Sequence, residues 1–212
     1  MNNSNGQKGR FITFEGLDGS GKSTQLRLLS EYLTQNNIQN VCHSEPTKGP
    51  IGKQIRTILS GSEPADPRTI ALLFAADRIE HVTGKDGILD NTNRGITVLS
   101  DRYYFSSFAY QVVDMPLEWV MEINKVAREI AKPDLHIFID VSTDVCLERI
   151  AQNRTSSQIE IFENKKRLTL ARENFMRIIE KTKNEENTLI INGDNDLETV
   201  AKEVIDKTKY LF

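Results

Sequence analysis

No apolar run in this chain approaches the ~18 residues needed to cross a bilayer. The polar stretch from Met1 to Gly9 also lacks the apolar middle of a signal peptide. Neither a membrane span nor a secretory leader is expected, and residues 1–9 read as a loose terminus. Cysteine is scarce: Cys42 and Cys146 have no spacing of the kind that holds zinc or builds a disulfide framework. Both read as reduced packing residues in apolar surroundings, the usage of a cytoplasmic protein. His43, His81 and His136 form no metal-ligand pattern. Basic charge is not concentrated anywhere, and 27 Lys and Arg against 30 Asp and Glu leave a formal charge of −3. That balance disfavours a nucleic acid or a membrane surface as the main partner. Internal repeats and low-complexity linkers are absent, so residues 10–212 read as one domain.

Strand-like and helix-like segments alternate along the chain. Strands are expected at residues 11–15, Gln39–His43, Gly95–Ser100, Asp134–Asp140 and Thr188–Ile191. A helix over 22–35 carries Leu26, Leu29 and Leu33 on one stripe, and Ile51–Leu59 forms a shorter one. Asp66-Pro67 opens a helix over Thr69–His81, with Pro67 where a first turn tolerates it. Pro116 opens another, with Val120, Ile123, Ala127 and Ile130 at helical spacing. A charged helical stretch covers about 160–183, and the last helix carries Leu197, Val200, Val204 and Ile205. The pattern predicts an α/β fold: a five-stranded parallel sheet, doubly wound, with ligands at the carboxyl ends of the strands.

The most informative run follows the first strand. Gly16-Leu17-Asp18-Gly19-Ser20-Gly21-Lys22-Ser23 fits G-x-x-x-x-G-K-[ST], and Thr24 continues into the helix. Its glycines let successive backbone N–H groups turn inward onto phosphate oxygens, and the helix dipole points at the same place. Lys22 would bridge the β- and γ-phosphates of a nucleoside triphosphate, and the Ser23 hydroxyl would ligate Mg²⁺.

Two further runs carry chemistry. Asp101 ends an apolar strand, where a protein with this loop places its Mg²⁺-side carboxylate, and Arg102 beside it has the fork for a second phosphate. Phe74 and Arg78 lie four apart on one helical face, a ring next to a cation. A planar base could stack on Phe74 while Arg78 reaches its carbonyl edge; a core phenylalanine with a solvated arginine is the alternative. Glu45-Pro46 is a turn with a carboxylate and is ambiguous by itself.

From about Arg10 to its C-terminus the chain resembles thymidylate kinases, enzymes that transfer phosphate from ATP to dTMP. The likeness rests on Phe14 through Thr24, Glu45-Pro46, Leu73-Phe74-Ala75-Ala76-Asp77-Arg78, Asp101-Arg102-Tyr103 and Ala109-Tyr110-Gln111. It implies a P-loop NTPase fold with a lid that closes over ATP, Mg²⁺ as cofactor held by Ser23 and Asp101, and a homodimer. It also implies that Phe74 stacks on thymine, that Arg78 bonds its carbonyl, and that Ser107 and Gln111 face the base. Arg102, helped by Arg56, would clamp the dTMP phosphate. Tyr110 would pack under the deoxyribose, and Asp18 would reach the 3′-OH or the metal shell. Glu45, Pro46 and Ser106 complete the acceptor site.

The lid would fall at about 149–160. Gly19 and Ser20 put no cation in the phosphate loop, so the likeness is to the subgroup whose lid supplies an arginine, with Arg149 and Arg154 the candidates. Three positions depart from the usual pattern: Ser44 before Glu-Pro, Thr47-Lys48 after it, and Gln158 before Ile159-Glu160.

Phosphoryl transfer requires two anionic nucleotides held in line, their repulsion neutralised and water kept out. The closest rival is a kinase for another nucleoside monophosphate or a deoxynucleoside, against which Phe74, Arg78, Ser107 and Gln111 favour dTMP. A GTPase-like switch is a rival of another class; the chain lacks N-K-x-D, and its Asp-Arg is not a switch Asp-x-x-Gly.

Overall fold

The computed structural model describes residues 8–153 and 164–212. Five strands, β1 (Phe11–Glu15), β2 (Asn40–Ser44), β3 (Thr97–Asp101), β4 (Leu135–Asp140) and β5 (Thr188–Asn192), form one parallel sheet in the order β2-β3-β1-β4-β5. The helices are α1 (Lys22–Gln35), α2 (Pro50–Leu59), α3 (Pro67–Thr83), α4 (Ile88–Asn93), α5 (Tyr104–Tyr110), α6 (Leu117–Ile123), α7 (Lys125–Ile130), α8 (Thr143–Asn153), α9 (Lys165–Thr182) and α10 (Leu197–Thr208). This is the doubly wound α/β architecture expected from the alternation. The central strand β1 is buried at every position, so both of its faces are covered. Helix α1 packs on α10, and α5 packs on α9.

Local chemistry sets the helix starts. Asp66 caps α3 by accepting the Arg68 N–H at 2.8 Å, with Pro67 in the first turn as its fixed φ allows. Asp196 caps α10 through the Thr199 N–H at 2.9 Å. Helix α1 has no side-chain cap and no acidic residue in its first turn, so its leading N–H groups are left for something else.

Several elements differ from expectation. The helix opened by Pro116 is two short helices, because Asn124 interrupts it. Val120 and Ala127 are buried, whereas Ile130 is exposed; at 100° per residue it lies about 80° round from Val120. Helices α4, α5 and α8 were not expected. Cys146 is buried, but Cys42 is exposed, because β2 is an edge strand and only part of it is covered. Leu197 does not join the buried stripe of Val200 and Val204; it is exposed at the start of α10. His136 is a satisfied core residue, bonded to Thr13 Oγ1 at 2.7 Å and stacked on Phe105.

All five strands run the same way, so their carboxyl ends share one edge. The register sets Phe14 beside Asp101 and Ser44 beside Asp101. The loops that follow β1, β2 and β3 therefore converge there.

Candidate functional site

The loop between β1 and α1 begins at Gly16, whose φ of 145° suits glycine; a Cβ there would lie 2.7 Å from the Ile139 carbonyl oxygen. It ends at Gly21, the residue before α1, with φ 92°. Inside the loop the Ser20 N–H donates to the Leu17 carbonyl at 3.1 Å. Lys22 is buried and its Nζ donates to the same carbonyl at 2.8 Å, which folds the ammonium over the loop. Burial first, and then the nearby Arg102 charge, lowers its pKa.

Ser23 Oγ donates to the Asp101 carboxylate, so the hydroxyl of α1 meets the end of β3. This pair offers one hydroxyl and one carboxylate, hard oxygen ligands of the kind Mg²⁺ accepts. Mg²⁺ keeps waters and takes substrate phosphates, so it does not need an all-protein cage. Among the described residues no group of three His, Cys, Asp or Glu is positioned to hold a metal.

A cavity of about 240 Å³ gathers all of the expected acceptor-side residues. Asp18, Lys22, Ser23, Glu45, Pro46, Arg56, Phe74, Arg78, Asp101, Arg102, Ser106, Ser107, Tyr110 and Gln111 all line it, together with Ser44 and Leu59. A second cavity, of about 470 Å³, is lined by residues 18–25 with Arg149, Ile150, Gly193, Asn195, Leu197 and Val200. The two share Asp18, Lys22 and Ser23 as a common wall. Gly16 and Leu17 support the loop from beneath and line neither cavity.

Arg102 crosses the first cavity's floor. Its Nη2 pairs with Asp18, its Nη1 donates to Ser106 Oγ at 2.9 Å, and its guanidinium lies 5.0 Å from the centre of the Tyr110 ring. Burial alone would lower its pKa, but Asp18 first, and then Tyr110 and Asp101, hold it above the ordinary value. The Tyr110 hydroxyl accepts the Asp18 N–H at 3.0 Å and donates to Asp18 Oδ2 at 3.2 Å. Arg102, Tyr110 and Asp18 thus form one cluster joining β3, α5 and the phosphate loop.

At the other end Arg78 is almost wholly buried. It donates from Nε and Nη2 to Glu45 Oε2, at 2.9 and 2.6 Å, and from Nη1 to Ser107 Oγ, at 3.0 Å, and to Asn124 Oδ1. Burial would raise the Glu45 pKa, yet the Arg78 charge, helped by His81, keeps it below its usual value. Gln111 is buried, and its Oε1 has no hydrogen-bond partner among the described residues. Phe74 is half-buried beside it in the cavity wall. Arg56 holds the turn after β2 by donating to the Pro46 and Thr47 carbonyls at 2.9 and 2.7 Å.

Arg149, the one lid candidate within the described residues, sits in α8 and donates to the Gly193 carbonyl at 3.2 Å and towards the Ser20 carbonyl at 3.5 Å. The part of the expected lid that belongs to the structure, 149–153, is helical. Arg154 and Gln158 lie outside the described residues.

Sequence reasoning missed four polar groups here. Asp77 accepts the Thr47 N–H and hydroxyl at 2.7 and 2.6 Å, fixing the turn where Thr47-Lys48 departs from the usual pattern. Asn124 stands on the same helical stripe as Val120 and Ala127, and a polar residue at a core-facing position was the available signal. Glu15, fully buried, accepts the Tyr103 N–H and the Ser106 hydroxyl. His81 donates to Glu45; nothing in its spacing gave this away, because Glu45 is remote in sequence.

A model of the thymidylate kinase family matches residues 14–204. The chain belongs to that family. A probable thymidylate kinase of Methanococcus aeolicus is 38% identical over 203 residues, covering 93% of this chain and 95% of that protein. One of Thermococcus kodakarensis is also 38% identical, over 92% of this chain and 95% of its own. One of Pyrococcus horikoshii is 34% identical over 96% of this chain and 97% of its own. Phosphate loop, doubly wound sheet and family membership agree on a nucleotide kinase.

Proposed function

We propose that this protein transfers the γ-phosphate of ATP to dTMP, giving dTDP and ADP. The observation that carries the reading is the pair of cavities sharing Asp18, Lys22 and Ser23 as a wall. A donor triphosphate on the loop amides and an acceptor monophosphate beside Arg102 would then meet across Lys22.

The acceptor cavity suits thymine. Four of the five N–H donors of Arg78 are taken by Glu45, Ser107 and Asn124, which leaves an Nη2 hydrogen for a base carbonyl. The unpartnered Gln111 Oε1 is an acceptor for the imide N–H beside that carbonyl. Cytosine presents a donor and an acceptor at those two places and would match neither. Phe74 offers its ring face for stacking.

The reaction asks for positioning and neutralisation. Lys22 and the free N–H groups at the start of α1 bind the donor phosphates, and Arg102, ion-paired to Asp18 until the acceptor arrives, turns to its phosphate. The acceptor phosphate oxygen is already anionic, so no general base is required. Mg²⁺ held by Ser23 and Asp101 would supply charge neutralisation on the β- and γ-phosphate oxygens. An arginine from the lid, Arg154 or Arg149, would add charge as the site closes and water is excluded. The proposal includes a homodimer, from the family resemblance, and a cytoplasmic location, from the reduced-cysteine usage.

An ATP-consumption assay across the nucleoside monophosphates tests this. dTMP should be the fastest acceptor; faster turnover of CMP, AMP or GMP would overturn the assignment. Melting shifts with dTMP and with GTP separate the kinase from a GTP switch, because a ligand stabilises the state that binds it.

A further inference from the structure

A larger cavity, of about 840 Å³, shares Ser23, Ser44 and Asp101 with the acceptor cavity and has Thr47, His43 and His81 in its wall. A continuous hydrogen-bonded chain crosses from one cavity to the other. His43 Nδ1 lies 2.8 Å from His81 Nε2, and His81 Nδ1 lies 2.9 Å from Glu45 Oε1. Glu45 Oε2 takes both the Nε and Nη2 donors of Arg78. The residues come from β2, α3 and the turn after β2.

We propose that His81 and His43 are positioning residues for the acceptor base: His81 fixes the Glu45 carboxylate that aims Arg78, and His43 holds the His81 ring from its other nitrogen. The inference rests on the dTMP kinase reading and deepens it. The carboxylate of Glu45 can only accept, so the facing Nδ1 of His81 must carry a proton. Its other ring nitrogen, Nε2, meets His43 Nδ1 at 2.8 Å, so the ring is held from both sides. Burial, followed by the neighbouring His81, pushes the His43 pKa down to about 4, so His43 is a neutral imidazole.

The effect on Arg78 is geometric. With Oε1 held by His81, only Oε2 faces the guanidinium, and both donors converge on that one oxygen. Without His81 the carboxylate can rotate and present both oxygens to the fork, the arrangement arginine and carboxylate otherwise favour. That rotation carries the remaining Nη2 hydrogen away from the place where a base carbonyl would meet it.

The test is a comparison of His81→Asn, His81→Gln, His81→Ala and His43→Ala in steady-state kinetics with dTMP and ATP. Asn keeps an N–H donor near the δ position, whereas Gln offers one near the ε position. Losing the Glu45 bond should raise KM for dTMP about tenfold in the Gln and Ala variants. Their KM for ATP should stay at the wild-type value, with kcat within about twofold, because the loss is in acceptor binding. His81→Asn should stay within about twofold of wild type in all three parameters, since its donor remains. His43→Ala should raise KM for dTMP about threefold, because water can partly replace its hydrogen bond at a half-exposed site. Equal KM for dTMP in the Asn and Gln variants would overturn the inference, as would losses shared by KM for ATP and kcat. This comparison stands even if His81→Ala fails to fold. An unchanged His43→Ala would remove His43 from the chain. If the wild type does not phosphorylate dTMP, the functional reading fails first; if it does and the variants do not separate, only this inference fails.

Discussion

The Glu15 carboxylate accepts the backbone N–H of Tyr103 at 3.0 Å, immediately after Arg102 adopts a φ of 73°. A left-handed backbone at a non-glycine residue costs roughly 1–2 kcal/mol, so something must hold it. Glu15 does so from both oxygens, because its Oε2 also shares a hydrogen bond with the Ser106 hydroxyl at 2.6 Å and Ser106 Oγ in turn accepts from Arg102. A buried acid at the end of the central strand therefore fixes both the backbone and the side chain of Arg102.

Burial pushes the Glu15 carboxyl up to about 8 from 4.5. The folded protein keeps this proton over a range in which the unfolded chain has lost it. Stability from this group is thus fully present below about pH 4.5 and is lost as pH rises through about 8. Each pKa unit corresponds to about 1.4 kcal/mol, so the change is on the order of a few kcal/mol. Glu15→Gln cannot ionise. Thermal melts at pH 6 and pH 9 should show the wild type losing more stability than the variant; parallel losses would mean that Glu15 does not titrate in this window.

Lys22→Ala should abolish turnover, with kcat down by at least roughly 10²- to 10³-fold as for other preorganised donors of positive charge. The fold should survive, because Lys22 is a buried cation with a lowered pKa beside a second cation, Arg102. Melting temperature at or above that of the wild type, measured alongside the kinetics, distinguishes lost chemistry from lost structure.

The phosphate loop, β1 and α1 were legible because each is specified locally, by glycines that tolerate unusual backbone angles and by leucines at helical spacing. Residues of the acceptor cavity were legible through motif likeness, and the cavity unites Phe74, Arg78, Arg102, Tyr110 and Gln111 from α3, α5 and their flanks. What escaped depends on position in the assembled sheet. The exposure of Cys42 follows from β2 being an edge strand, which no local pattern reveals. The burial of Glu15 follows from the loop after β3 folding over the end of β1, and the partner of Asn124 is an arginine 46 residues away. Helix α5 was missed because its Tyr104, Phe105, Phe108 and Tyr110 are all buried and leave no polar face to give it a period.

Tyr110 should enforce deoxyribose over ribose. Its ring lies beneath the Arg102 guanidinium, and its hydroxyl makes two hydrogen bonds to Asp18. By the family resemblance, the ring would pack under the sugar, where a 2′-OH would be crowded. Tyr110→Ala should narrow the kcat/KM gap between dTMP and its ribonucleotide, whereas Tyr110→Phe keeps the ring and should keep the gap. An unchanged gap in a folded Tyr110→Ala protein would assign the discrimination to another residue.

Catalysis should depend on an arginine from the segment after the phosphate-loop side of the sheet, Arg154 or Arg149. Gly19 and Ser20 contribute no cation to the phosphate loop, yet the charge on the transferring group must still be balanced. Arg149 already lines the donor-side cavity and bonds the Ser20 and Gly193 carbonyls, so it joins the phosphate loop to the turn after β5. Two consequences can be told apart. If Arg149 serves the loop's shape, Arg149→Ala should raise KM for ATP with kcat nearly unchanged. If it serves the transition state, kcat should fall more than KM rises. Arginine fingers contribute roughly 10³–10⁵ in rate; with two arginines sharing the task, each single alanine variant should lose less than the double variant. Near-normal kcat in a folded Arg149→Ala/Arg154→Ala protein would show that the balancing charge comes from elsewhere, and Arg102, on the acceptor side of the shared wall, would be the next residue to replace.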